Sequence, residues 1–444
     1  MYTIEMVFSA CNLWLKDWLE AESPILVDDW DVSNWMENEM KEATNTFLTF
    51  GFKTSKARID ALVILRSLFY EYYLFEKQIA ISKLLPNYDT TVRLPALLQS
   101  QQKTSAWHAE GREMLSGHEF GPVCVGSYSE REAVLIKKCA PELIISEGMS
   151  SVESRTVYLT SEDGKLSSFK WGWRYESVAR QVYETYISTL EGTAIRVFDE
   201  LGRIRHPSLP RLGASPDGLI MNGSRQGRLL EIKCPITREI DNKVPIHYYC
   251  QMQLQAEVCN VDAVDYLEVQ FSAFPQEGIT LEMLSNGVQP WIGKICVCAL
   301  AEDTPPSKYT YAYSPIFTND AKGFQDCLAW TPEGIVLESS IWYVKNWFLT
   351  TVLRNPRWWN AVGYPSYMDF WKDVEMARSE GRHKPRALFI DSESESNEDI
   401  FDSRAGKRGD DPLSLQTVGG SDETSSTERP FAGAKTFGGW QGTE

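Results

Sequence analysis

Residues 213–235 read Gly-Ala-Ser-Pro-Asp-Gly-Leu-Ile-Met-Asn-Gly-Ser-Arg-Gln-Gly-Arg-Leu-Leu-Glu-Ile-Lys-Cys-Pro. Two short apolar runs flank residues 222–227, which are turn material of Asn, Gly and Ser, and the pattern predicts a β-hairpin. A strand period of two puts Leu229, Glu231 and Lys233 on one face and Leu230, Ile232 and Cys234 on the other. Asp217 falls nearly opposite Glu231 once the hairpin folds about its turn. Two carboxylates and an amine then converge at the hairpin's open end. Hard oxygen ligands of this kind hold a divalent cation, and the amine is near enough to orient or deprotonate a metal-bound water. A surface hairpin with an exposed Asp and a cross-strand ion pair is the plainer reading of the same residues.

The chain has 444 residues, 43% of them hydrophobic, enough for two or three domains or one core with extensions. No apolar run is long enough to span a membrane, and residues 1–10 lack the basic-then-apolar order of a secretory leader. The expectation is an intracellular protein, of the host nucleus or cytoplasm if viral. Nine scattered cysteines suggest free thiols, and Cys296-x-Cys298 suits a strand better than a zinc site.

The net charge of −17 is unevenly spread. Residues 1–50 hold ten acids against two bases, and residues 391–444 hold twelve against five. Residues 51–390 are therefore close to neutral, which leaves room there for a basic groove.

Residues 1–98 read as helical. Ser33 is placed to cap a helix through residues 40–47, and apolar residues recur at helical spacing over residues 55–85. Residues 171–187 predict a helix whose apolar stripe of Ala179, Tyr183 and Ile187 also contains Glu176. A carboxylate on such a face needs a partner, metal ions and catalytic cations among them, unless it reaches solvent at the stripe's edge. A further helix opens at Tyr248, with Gln251 on it. Strands are expected over residues 264–273, 291–300 and 308–316, and a strand with a turn over residues 152–161. Residues 335–381, rich in Trp and Tyr, read as mostly helical, with their rings in the core rather than stacked on single-stranded DNA. From Asp391 the acidic, Ser-rich sequence is expected to be disordered.

Ser-Pro-Asp-Gly-Leu followed by Leu-Glu-Ile-Lys-Cys-Pro resembles the core of the lambda-exonuclease-like, YqaJ viral recombinase and alkaline exonuclease family, within the PD-(D/E)xK nucleases. Two further segments agree. Trp171-Gly-Trp-Arg-Tyr-Glu-Ser-Val-Ala-Arg resembles the family's first helix motif and places Glu176 on its acid and Arg180 on its paired Arg. Trp107 and His108, then Arg112 and Ser116-Gly117-His118, resemble its opening segment, whose Arg contacts the phosphate at the end of the digested strand. The family's Tyr-x-x-Gln-x-Gln falls on residues 248–253, with Gln251 as its first Gln. The family's further acid shortly before Ser-Pro-Asp has no counterpart here.

The resemblance covers roughly residues 105–275. It implies an α/β fold, a mixed central β-sheet flanked by helices. With it go a helical accessory region (1–98), a nuclease core (99–320), an aromatic-rich helical extension (321–387) and an acidic disordered tail (388–444). It also implies a Mg²⁺-dependent 5′-to-3′ exonuclease acting on double-stranded DNA ends in viral-type recombination, with Mn²⁺ as substitute. Asp217, Glu231 and Glu176 would serve the metal, Lys233 and Gln251 the water, and Arg112 and Arg180 the DNA. Candidate partners are a single-strand annealing protein and further copies of the chain. A sequence-tolerant endonuclease, a non-catalytic DNA-binding scaffold and an interaction protein acting through its acidic tail are the alternatives.

Overall fold

A computed structural model describes residues 3–22, 29–102, 104–139, 157, 166 and 168–381. The expected strand over 152–161 and the acidic tail lie outside the described residues.

Eight strands form one mixed sheet in the order β1-β4-β5-β6-β10-β7-β8, with β9 beside β7. They are β1 (Val197–Phe198), β4 (Gly218–Ile220), β5 (Leu229–Lys233), β6 (Ala263–Pro275), β7 (Trp291–Ala299), β8 (Thr310–Tyr313), β9 (Phe317–Thr318) and β10 (Ile335–Leu353). A separate ribbon pairs β2 (Ile204–Arg205) with β3 (Gly213–Ala214). β4 and β5 form the hairpin read from the sequence. β5 and β6 are parallel, and such a pair needs a crossover, here the Ile246–Cys259 helix.

Alternation along β5 assigns its side chains to two layers. Leu229 packs with the Ile246–Cys259 helix, and Leu230 and Ile232 pack with Val178, Val182 and Ile187 of the Ser168–Glu191 helix. Covered on both faces, β5 is apolar apart from its two charged residues. The α/β class, with a mixed sheet, flanking helices and a helical N-terminal region, is as the sequence indicates.

Two expectations fail. Residues 335–353 are not helical; they form the 19-residue strand β10, paired with β6 on one side and β7 on the other. Their Val, Ile, Trp, Tyr, Phe and Thr residues favour a pleated surface. Both faces of this central strand are covered in its middle, so the alternation that marks a half-exposed strand is lost. Trp342 fits because its cross-strand neighbour is Gly293, where a Cβ would lie 2.5 Å from the indole. Helix begins only at Pro356, and the Tyr364–Ser379 helix buries Trp371 against the main core. Ser33 lies inside the Asp29–Asn34 helix rather than capping the next one.

Four N-terminal helices, Ile4–Glu22, Asp29–Asn34, Lys41–Gly51 and Ser55–Ser82, surround their own core of Leu15, Leu65, Phe69 and Tyr73. Asp31 fastens this unit to the rest, accepting from Asn355 at 3.2 Å and from Arg357 at 2.7 Å. At the hairpin's turn, fully buried Asp265 accepts from Tyr183 at 2.6 Å, Arg225 at 2.7 Å and Thr351 at 2.9 Å. That network ties turn, helix and sheet together, and a buried carboxylate so satisfied has one geometry.

All nine cysteines carry free thiols. No helix among the described residues is long and apolar enough to cross a membrane.

Candidate active site

The open end of the hairpin lies where β4 and β5 part. Gly218 pairs with Leu230, so Asp217 stands one step on, beside Glu231. The Asp217 carboxylate turns back and accepts from the Ile232 amide at 2.7 Å. Glu231 is fully buried. The Lys233 ammonium lies 2.7 Å from Glu231 Oε1 and 4.8 Å from the centre of the Tyr248 ring. The shared face of Glu231 and Lys233 is therefore real, and it faces the Ile246–Cys259 helix.

That helix answers Glu231 with two amides. Gln251 donates to Oε1 and Gln255 to Oε2, each at 2.6 Å. Four residues apart, they share one helix face. Gln253 points the other way, donating to the Leu353 carbonyl at 2.8 Å and accepting from the Asn355 amide at 2.7 Å. Anchored behind by Gln253, the helix holds its front glutamines in place. Sequence reasoning singled out Gln251 but missed Gln255; the four-residue spacing from Gln251 was the available signal. Gln255→Met keeps the volume but leaves Oε2 unpaired. We expect it to weaken Mn²⁺ binding, titrated without DNA, by about 10–100-fold. Unchanged affinity would make Gln255 mere filling.

Glu176 arrives from the opposite layer, on the Ser168–Glu191 helix, and is half-buried. Burial first, then the negative charges of Glu231 and Glu176, push the Asp217 carboxyl well above its usual range, against the pull of Lys233 and the Ile232 amide. Burial alone would lower the Lys233 ammonium, but Glu231 and Asp217 outweigh it and hold it charged. Three carboxylates crowded in low dielectric beside one ammonium carry excess negative charge, which a divalent cation would neutralise. The oxygen donors suit Mg²⁺ or Mn²⁺. Among the described residues no three acidic, His or Cys side chains already close into a ligand cluster. The fit thus rests on donor chemistry and charge.

The turn before the Gly117–Val125 helix presses on the same site. A Cβ on Gly117 would lie 2.8 Å from Gln251 Cγ, so only glycine lets this turn approach the Ile246–Cys259 helix so closely. Ser116 donates to Glu119 at 2.9 Å, and buried Lys138 pairs with Glu119 at 2.7 Å. His118, its side chain about half exposed, lies 3.9 Å from Glu119, and Lys137, Lys138 and Lys233 stand near enough to disfavour its charged form. Arg112 ends the Ser105–Arg112 helix; the neighbouring His108 is lowered first by burial, then by the charges of Arg203, Arg112 and Lys137. Lys137 and Lys138 both pair with Glu119 beside this turn. Arg180, one helical turn beyond Glu176, forms an ion pair with Asp199.

Burial opposes the charge of Glu119, but Lys138 and Lys137 hold its carboxyl far below the usual range. A depressed carboxyl contributes stability above its unfolded value, lost as pH falls towards the folded one. Glu119→Ala would strand Lys138 and should cost about 3–5 kcal/mol near neutral pH, read by urea unfolding. The deficit should shrink as the pH is lowered through the acid range.

Several known proteins resemble this chain. A protein of Acanthamoeba polyphaga mimivirus, uncharacterized protein R354, is 26% identical over 191 residues, 40% of this chain and 30% of that protein. An alkaline exonuclease of Laribacter hongkongensis aligns with 63% of this chain and 97% of its own, at 16% identity and a TM-score of 0.33. Its complex with dAMP aligns over the same shares at a TM-score of 0.35. Residues 106–262, which supply Glu176, Asp217, Glu231, Lys233 and both clamping glutamines, match the YqaJ-like viral recombinase domain, the family that the hairpin motifs resemble.

Proposed function

We propose that the chain is a divalent-metal-dependent deoxyribonuclease that digests double-stranded DNA from its ends, 5′ to 3′. The observation that carries this reading is the ion pair of Lys233 with buried Glu231, beside a desolvated Asp217. Bound Mg²⁺ supplies a lowered water pKa and charge stabilisation at the reacting phosphate. Asp217 and Glu231 hold it, and Glu176 serves as third acceptor. Glu231 keeps one orientation because Gln251 and Gln255 grip both of its oxygens. Lys233 positions the attacking water and favours loss of its proton.

Arg112 binds the terminal 5′-phosphate, a task suited to a guanidinium's paired N–H groups. Its place four residues before the turn whose Gly117 meets Gln251 supports this reading.

End-labelled linear duplex incubated with Mg²⁺, with a chelated control, tests the reading. Label should be released from linear DNA and closed circles left intact. Cutting of circles would favour the endonuclease reading, and no Mg²⁺-dependent cutting of either would favour a DNA-binding scaffold. Ends bearing a 5′-phosphate should be preferred over hydroxyl ends, and Arg112→Ala should remove most of that preference.

A further inference from the structure

The nuclease reading uses no residue of the N-terminal helical unit. Yet this unit carries a built surface feature. Trp14, Trp18, Trp35, Phe47 and Phe50 line an open groove of about 810 Å³, with Glu22 and Glu42 among its walls. Trp14 stacks on Phe47 with ring centres 4.7 Å apart, and Trp18 meets Trp35 edge to face at 5.8 Å. These four rings are only half-buried, and Phe50 is 86% exposed. Single exposed apolar residues are ordinary, but rings gathered in one concave patch mark an interaction site.

Charge narrows the occupant. Residues 1–50 carry ten acids against two bases, and among the described residues no Lys or Arg lines the groove. DNA, a polyanion, is repelled from such a surface. A second copy of the same face brings the same charge and is repelled as well. So is the chain's own acidic stretch at 391–444, with twelve acids against five bases. An occupant that gains from both features has apolar side chains for the rings and cations for their faces and for the two glutamates. An amphipathic helix laid in a groove presents those side chains together.

We propose that the groove of Trp14, Trp18, Trp35, Phe47 and Phe50 docks a basic amphipathic helix of a partner protein. This goes beyond the nuclease reading and does not depend on it.

The test titrates the full chain with three synthetic peptides of about 18 residues, five helical turns, followed by tryptophan fluorescence and calorimetry. One is a Leu/Lys amphipathic helix. The second has the same composition scrambled so that no apolar face forms. The third replaces Lys with Glu. The first should bind, and the other two should bind at least tenfold more weakly. Phe50→Asp and Glu42→Lys should each weaken the first peptide by about tenfold or more, as loss of a binding anchor does. Both residues are exposed, and unchanged thermal melts and circular dichroism would show that the fold is intact. Equal binding of the scrambled peptide, or binding indifferent to both substitutions, would overturn the proposal. So would equal binding of the acidic peptide. A dimer that Phe50→Asp dissolves in sedimentation would assign the groove to a second copy and overturn it too.

Discussion

Lys233→Ala is expected to lower single-turnover cleavage of duplex DNA by about 10²–10⁴-fold, the range for a lost proton-transfer or oxyanion-stabilising group. DNA binding in Ca²⁺ should stay nearly intact. An ammonium repels a divalent cation and cannot be its ligand, so a metal-dependent binder has no use for one here. Held against Glu231 at 2.7 Å, its charge is met by that carboxylate, and next to a bound metal its remaining N–H groups would be free to stabilise the attacking hydroxide or a phosphate oxygen. Lys233→Arg should remain poor, because a planar guanidinium does not present a point charge to one water. Near wild-type cutting by Lys233→Ala would mean that the hairpin is not the active site.

Asp217→Asn should reduce cleavage by about 10³-fold or more, a transition-state loss above ~4 kcal/mol, and yet stabilise the metal-free protein. Asn keeps an oxygen for the Ile232 amide, so the local turn survives. What disappears is a carboxylate charge that burial, Glu231 and Glu176 all disfavour. The sign follows from linkage. A carboxyl whose folded value is raised costs stability once the pH exceeds its unfolded value, 3.8 for Asp, and the cost grows until the folded value is passed. Without metal, Asp217→Asn should melt higher than wild type near neutral pH, with the gap closing as the pH approaches 4. Added Mg²⁺ should raise the wild-type melting temperature and the variant's much less. A variant that melts lower without metal would make Asp217 a structural residue.

The hairpin and its convergence were legible because a strand's period is two and its turn is spelled out in Asn and Gly. Given those, Asp217, Glu231 and Lys233 have only one way to meet. Glu176 was legible from a carboxylate on an otherwise apolar helical stripe. Gln255 was hidden because its importance lies in a partner 24 residues away, on the strand that its helix covers. β10 was hidden for a different reason. A central strand and a buried helix are both apolar all round, so residues 335–353 lost the alternation that separates the two. Glu119 was hidden because its role depends on Lys138, brought to it by the packing of one helix on the next.

The place of β10 fixes the order in which the molecule can be finished. β6 and β7 are made first, but they do not pair with each other; each pairs with β10 along its length. Until residue 353 has left the ribosome, two strands of 13 and 9 residues hold open edges, the surfaces on which chains stick to one another. The hairpin that carries the carboxylates hangs on one of them through the parallel pair of β5 and β6. A chain cut short before β10 therefore contains every residue of the candidate active site and lacks the strand that would close the sheet around it.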